Sequence, residues 1–216
     1  MIQLVIFDLD GTLLNTIADL ADSTNYALDQ HHFPTHPTES YHFFVGNGIN
    51  KLFERALPEG EKTAENILKI RKAFLVYYSE HNMDRSEPYQ GIPGLLQSLH
   101  ERGIQLAVAS NKYHEATCIL VKHYFPDIPF AAVFGQREGI TPKPDPTIVH
   151  DILSATEIEA TDTLYVGDSG VDMQTANNSG VTACGVTWGF RPRAELEQFQ
   201  PRHIVDQPEE ILRIVG

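Results

Sequence analysis

Apolar runs that stop abruptly at polar or turn residues recur along this chain. Val5-Ile6-Phe7 leads into Asp8, and Ile104–Ser110, Ala131–Gly135, Thr163–Asp168 and Val181–Val186 repeat the form. Ile204–Val205 reads as a short edge strand. Such runs, bounded by turn residues, predict buried strands. Between them, Ile92, Leu95, Leu96 and Leu99 recur at helical spacing, as do Ile148, Ile152 and Leu153. Strands alternating with helices of this length predict an α/β fold whose core is a doubly wound, Rossmann-like parallel sheet. The strand ends carrying Asp8, Ser110 and Asp168 then converge on one edge of that sheet, where open α/β sheets bind ligands.

From about residue 15 to 85 the alternation breaks. Ile17, Leu20, Ala21, Thr24 and Leu28 form one helical stripe. Ile49, Leu52, Phe53, Ala56 and Leu57 form a second, and Ile67, Ile70, Phe74 and Tyr77 a third. The pattern predicts an α-helical cap, residues 15–85, inserted into a core domain made of residues 1–14 and 86–216. Such an insertion covers the edge where the carboxylates emerge and reads as a lid. The loop holding His31, His32, Pro34, His36 and Pro37 shows no metal-ligand spacing and reads as a solvated surface loop.

Composition narrows the function classes. The 216 residues are 42% hydrophobic and 21% charged, which suits one substantial core plus an insertion. Asp and Glu number 29 against 16 Lys and Arg, and the net charge of -13 argues against a general nucleic-acid binder, which needs clustered cations. A small anionic substrate remains compatible, because a local site charge outweighs the global field. Cys118 and Cys184 form neither a close pair nor a metal-ligand spacing and read as small buried thiols in a reducing compartment. No apolar run approaches the roughly 18 residues of a membrane span, and the N-terminus enters a strand without a signal-peptide pattern. The expectation is a cytoplasmic protein without membrane or nucleic-acid partners.

The chemistry concentrates at the strand ends. Asp8 and Asp10 stand where the apolar strand stops and the backbone turns, which is where they can act together. Gly11 permits that turn and Thr12 brings a hydroxyl suited to an anion. Ser110-Asn111-Lys112 closes a second strand with a hydroxyl and free amides that suit phosphate oxygens. Thr141-Pro142-Lys143-Pro144-Asp145-Pro146 holds Lys143 on a stiff loop before a helix. Gly167-Asp168-Ser169-Gly170-Val171-Asp172 ends a further strand with an acid and adds another at i+4. Asp8, Asp168 and a main-chain carbonyl could supply the oxygen ligands that Mg²⁺ takes.

Asp-x-Asp-Gly-Thr, Ser-Asn, Lys-Pro and Gly-Asp-x-x-x-Asp, in this order at successive strand ends, resemble the haloacid-dehalogenase-like hydrolase superfamily over nearly the whole chain. The resemblance implies Asp8 as the nucleophile that forms an aspartyl-phosphate, and Asp10 as general acid and then base. It implies Mg²⁺ held by Asp8, the main-chain carbonyl of Asp10, and Asp168. Thr12, Ser110 and Asn111 would hold the phosphoryl group, Lys143 would balance its charge, and Asp172 would orient Lys143 or metal-bound water. Asp10 must be protonated when it donates, which predicts a pKa raised by the neighbouring acid. Where the superfamily commonly has Leu-x-Asp-Ser, this chain reads Leu14-Asn15-Thr16.

Phe44-Val45-Gly46-Asn47-Gly48-Ile49, Glu54-Arg55-Ala56-Leu57, Tyr89–Gly94 and Gly185–Gly189 resemble the phosphoglycolate phosphatase subgroup with a small helical cap. Gly46, Asn47 and Gly48 at a helix start offer backbone donors for a second anionic group. Arg55, with Lys51 on the same helical face, adds positive charge. The expected substrate is a small phosphorylated metabolite, with 2-phosphoglycolate the leading candidate. Pyrophosphate, a sugar phosphate and a nucleotide monophosphate are the alternatives. A non-catalytic phospholigand-binding module is the reading from a different class.

Overall fold

In the computed structural model, which describes residues 1–216, β1 (Leu4–Phe7) is buried on both faces, as an unbroken apolar strand in a parallel sheet requires. The chain continues through β2 (Leu14–Asn15), α1 (Ile17–Gln30), α2 (Tyr41–Phe44), α3 (Ile49–Ala56), α4 (Ala64–His81) and β3 (Glu87–Pro88). It then alternates through α5 (Ile92–Glu101), β4 (Gln105–Tyr113), α6 (His114–Tyr124), β5 (Ala132–Gln136), α7 (Thr147–Thr156) and β6 (Thr163–Gly167). The last elements are α8 (Gly170–Ser179), β7 (Thr182–Val186), α9 (Arg193–Glu197), β8 (His203–Val205) and α10 (Ile211–Val215).

Six parallel strands form one sheet in the order β5-β4-β1-β6-β7-β8. Val5 and Phe7 of β1 belong to one apolar cluster, with α5, α6 and α10; Leu4 and Ile6 belong to the cluster on the other face, with α7 and α8. The period-two alternation of side chains puts helices on both sides. Connections leave β1 and β6 toward opposite ends of the sheet. A crevice therefore opens at their C-terminal ends, at the topological switch point. The predicted doubly wound sheet is the observed one. One boundary differs: β4 runs past Ser110 to Tyr113, because Tyr113 resumes pairing with Gln136 after an irregularity following Ala109.

α1 to α4 pack around a third apolar cluster that includes Leu20, Leu28, Tyr41, Phe53, Phe74 and Tyr78. No strand interrupts these helices. A two-residue antiparallel ribbon does, however, tie the segment's two ends together: Leu14 lies opposite Pro88 and Asn15 opposite Glu87. Two residues per strand carry too little pattern to be seen in the sequence. The His-Pro loop lies at the surface, with His32, Pro34 and Pro37 exposed, but it is anchored at His36. The Asn25 side chain brackets the His36 backbone, and the His36 ring meets the Ala56 carbonyl at 2.7 Å and packs edge-on to Phe44. Cys184 is buried as expected, whereas Cys118 is half-buried with its sulfur beside His114. No helix is long and apolar enough to cross a membrane.

Phe190, from the loop after β7, packs into the helical cluster, and neighbouring Arg191 donates to the carbonyls of His42 and Val45. On the opposite side the chain's return is pinned by Asp19 of α1. This buried carboxylate accepts from the amides of Arg85 and Ser86 and from the Ser86 hydroxyl at 2.6 to 2.9 Å. Asp22, one turn on, makes only an exposed pair with Arg85. Removing the buried acceptor leaves three donors unsatisfied, so Asp19→Ala is expected to cost about 2–4 kcal/mol of stability. Asp22→Ala is expected to stay within about 0.5 kcal/mol. Urea unfolding of the two variants measures this difference, and equal losses would contradict it.

Candidate active site

The crevice is built by strand ends. Asp8 follows β1 and Asp168 follows β6, and the Asp8 amide donates to the Val166 carbonyl at 2.9 Å, locking the two ends in register. Oxygen atoms of Asp8, Asp168 and Asp172 lie within 4.8 Å of one another, and all three residues are buried. Gly11 takes a positive φ of 89° beside Asp168, and a Cβ there would overlap that carboxylate. Only glycine lets the backbone pass so close.

Lys143, 4% exposed, enters this group from the loop before α7. Its ammonium is 2.9 Å from Asp8 and 2.8 Å from Asp172, and also donates to the Ala109 carbonyl at 2.9 Å and the Tyr165 hydroxyl at 3.0 Å. The second Asp172 oxygen accepts from the Ser169 hydroxyl at 2.6 Å and the Ser169 amide at 3.1 Å, closing a capping box at the start of α8. Asp172 is thereby committed on both oxygens, and it orients Lys143 toward Asp8. Asp168 accepts from the Phe190 amide at 2.7 Å and the Thr12 hydroxyl at 3.3 Å.

One lysine does not balance these acids. Burial pushes the Asp8 carboxyl up to about 7; Lys143 opposes this, while Asp172 and Asp10 add to it. Burial likewise raises Asp168 well above the usual carboxylate range, with Asp172 and Asp8 contributing. Two carboxyls that resist ionisation at the end of a cleft, with oxygen atoms in mutual reach, fit a hard divalent cation. Asp8 and Asp168 fit it best, since Asp172 is taken up by Lys143 and Ser169.

Asp10 stands apart from these acids. The Lys112 ammonium meets both Asp10 oxygens, at 2.9 and 3.0 Å, and the Thr16 hydroxyl donates to it at 2.7 Å. Past the end of β1 the backbone turns at Asp10 and Gly11, and the Asp10 carboxylate meets Lys112 of β4 and Thr16 just before α1. Thr16, where the common pattern has Ser, keeps the hydroxyl that holds Asp10.

The remaining predicted residues divide. Ser110 is buried at the cleft, its oxygen accepting from the Lys112 amide at 3.1 Å. Asn111 lines the cleft, but its side chain is engaged with the Lys143 amide and carbonyl and the Gly46 carbonyl. It ties three loops together instead of presenting a free side-chain donor. Gly46 and Gly48 line the cleft; Asn47 and Arg55 do not. Arg55 donates to the Asn47 side chain at 2.8 Å and to the carbonyls of Phe43 and Phe44, so its charge orders the 43–47 turn. Lys51 makes an exposed pair with Glu54. Helical spacing showed which residues share a face of α3 but not what lies opposite that face.

Two residues of the cleft were given no role by the sequence: Lys112 and Tyr78. With Leu20, Val45, Ile49, Leu52 and Phe74 they form the wall facing the acids, around a cavity of about 60 Å³. Lys112 was legible as a lysine after Ser-Asn, but its partner on α4 was not.

A family model described as haloacid dehalogenase-like hydrolase matches residues 5–186, a span that contains every acid and lysine above. A curated phosphoglycolate phosphatase of Mannheimia succiniciproducens is 31% identical over 219 residues, covering 99% of this chain and 98% of that protein. Another, from Mesorhizobium japonicum, is 30% identical over 94% of this chain and 89% of its own length. A crystal structure from Haemophilus somnus, described as a predicted phosphoglycolate phosphatase, superposes with a TM-score of 0.91 at 29% identity and covers 100% of this chain and 98% of its own.

The site's charge has a measurable consequence. Folding moves Asp8 from an ordinary value of 3.8 to about 7, so between those values the folded state binds the extra proton. Stability of the metal-free protein therefore falls as pH rises through that window. A divalent cation takes the proton's place, and its stabilisation grows as the proton leaves. Thermal unfolding with and without added Mg²⁺ is expected to give a larger upward shift in Tm at about pH 8 than at about pH 5. A shift independent of pH would contradict the assignment of the cation to Asp8.

Proposed function

The chain belongs to the haloacid dehalogenase-like hydrolase family, and from that premise we propose that it is a Mg²⁺-dependent phosphoric monoester hydrolase acting on 2-phosphoglycolate. The observation that carries this reading is the pairing of Asp8 with buried Lys143 and Asp168 at the mouth of a small cleft. In it, the helical segment 15–85 serves as a cap over a core of residues 1–14 and 86–216.

In the first step an Asp8 oxygen attacks phosphorus, an Asp8–phosphorus bond forms, and the bond from phosphorus to the ester oxygen breaks. Asp10 gives its proton to the departing oxygen, so the leaving group departs as a neutral hydroxyl. In the second step Asp10 takes a proton from water as that water attacks the phosphorus of aspartyl-phosphate, regenerating Asp8 and releasing phosphate. Lys143, fixed by Asp172, holds Asp8 in place and balances charge on the phosphoryl oxygens. The hydroxyls of Thr12 and Ser110 and the main-chain amides near Asn111 receive those oxygens. Asp8, Asp168 and the Asp10 carbonyl would hold Mg²⁺, whose positive charge would offset the repulsion between carboxylate and phosphate. Nearly all of this is positioning and electrostatics, as phosphoryl transfer requires.

Two observations support a short substrate. The cleft wall formed by Leu20, Ile49, Leu52 and Phe74 is apolar, which suits a short leaving group with a methylene better than the hydroxyls of a hexose. Relatives matched over nearly their full length carry the name phosphoglycolate phosphatase. The two unpaired thiols suit a reducing, cytoplasmic setting.

Free-phosphate release from 2-phosphoglycolate, pyrophosphate, hexose phosphates and nucleoside monophosphates tests the proposal. Turnover is expected to require Mg²⁺ and to be led by 2-phosphoglycolate. Asp8→Asn is expected to lower kcat by at least ~10³-fold, as loss of a covalent nucleophile does. Phosphate release surviving that substitution would refute the nucleophile.

A further inference from the structure

Next to Asp10 in the cleft stand two polar groups that the phosphoryl chemistry does not use. The Lys112 ammonium has three donors and gives two short contacts to Asp10. Its remaining side faces Tyr78. The Tyr78 hydroxyl, on a residue 1% exposed, has no hydrogen-bond partner, although the ammonium lies 5.1 Å from the centre of its ring. Buried hydroxyls without partners are rare in folded proteins, and this one sits in the wall of the cleft. The surfaces beside it are apolar: Leu20, Ile49, Leu52 and Phe74.

We infer that Lys112 and Tyr78 form the receptor for a carboxylate on the substrate's leaving group. The inference rests on the phosphatase reading above and adds what selects the ester. Asp10 marks the ester oxygen, so the group immediately beyond it is the part of the substrate that departs. An ammonium and a hydroxyl match the two oxygens of a carboxylate, and the apolar wall matches a methylene. The terminal phosphate of pyrophosphate would bring three further oxygens to the same two donors and leave some unpaired in an apolar wall. The receptor comes from β4 and α4, so it is complete only when the helical segment lies over the sheet. Arg55, the cation that the sequence suggested for this task, is committed to the 43–47 turn.

The test compares kcat/KM for 2-phosphoglycolate and for ethyl phosphate, which keeps two carbons and lacks the carboxylate. Wild type is expected to favour 2-phosphoglycolate. The ratio of the two values is expected to fall at least about 30-fold in Lys112→Met and about 5- to 10-fold in Tyr78→Phe, with Lys112→Arg recovering part of the loss. Tyr78→Phe removes one oxygen and keeps the packing, so it reads the receptor even where Lys112→Met disturbs Asp10 or the fold. Equal losses on both esters would overturn the inference, since Lys112 would then act only through Asp10. Wild-type turnover without preference for the carboxylated ester would also overturn it while leaving the phosphatase reading intact. Turnover of neither ester would count against that reading. In that case calorimetric binding of 2-phosphoglycolate to Asp8→Asn decides the inference separately. Affinity at least about 30-fold weaker after adding Lys112→Met supports it, and unchanged affinity overturns it.

Discussion

The molecule is organised around a concentration of negative charge that it cannot balance by itself. Asp8, Asp168 and Asp172 are buried at the end of a parallel sheet, with Asp10 close by, and Lys143 is the one ammonium placed among the first three. Such an arrangement is unfavourable for the folded state and persists because the surrounding structure leaves little alternative. β1 and β6 are fixed by hydrogen bonds and by apolar packing on both faces, and the acids sit on the first residue after each strand. Gly11 and Gly189 lie so close to Asp168 that neither could carry a side chain without displacing it. The strain is electrostatic, and it is what makes the crevice a place for a cation and a phosphate ester.

Much of this was legible because it depends on short-range pattern. An apolar run ending in an acid locates a strand end, and the sheet's order then brings the strand ends together. Lys143 stood out because prolines on both sides restrict its loop. Other features depend on contacts between distant segments and left little trace. Asp10 has an acid two residues away in sequence, but past the strand's end its carboxylate is held by Lys112, a residue some hundred positions further on. Arg55 looked available because a helical wheel shows one helix alone, and the carbonyls of the preceding turn claimed it. Tyr78 reads as an ordinary core residue of α4, which most of its surface is; only its hydroxyl belongs to the site.

The asymmetry between the two lysines is instructive. Lys143 is surrounded by acceptors on every side and has one arrangement open to it. Lys112 has Asp10 on one side and the apolar wall with an unpartnered hydroxyl on the other. The first is a charge held in one place beside Asp8. The second retains a direction in which a ligand changes its surroundings, which is where discrimination among substrates can arise.

The loop after β7 joins these two parts of the molecule. The Phe190 amide holds Asp168, the Phe190 ring packs among the helices, and Arg191 grips carbonyls at the end of α2. Moving the helices off the sheet must therefore break the Arg191 bonds and expose Phe190, or draw the loop from Asp168. Cation affinity and closure are then linked equilibria, and linkage is reciprocal. Whatever a bound cation contributes to closing the helices, closure contributes equally to retaining the cation, so a ligand that bridges sheet and helices tightens the grip on a metal it need not touch.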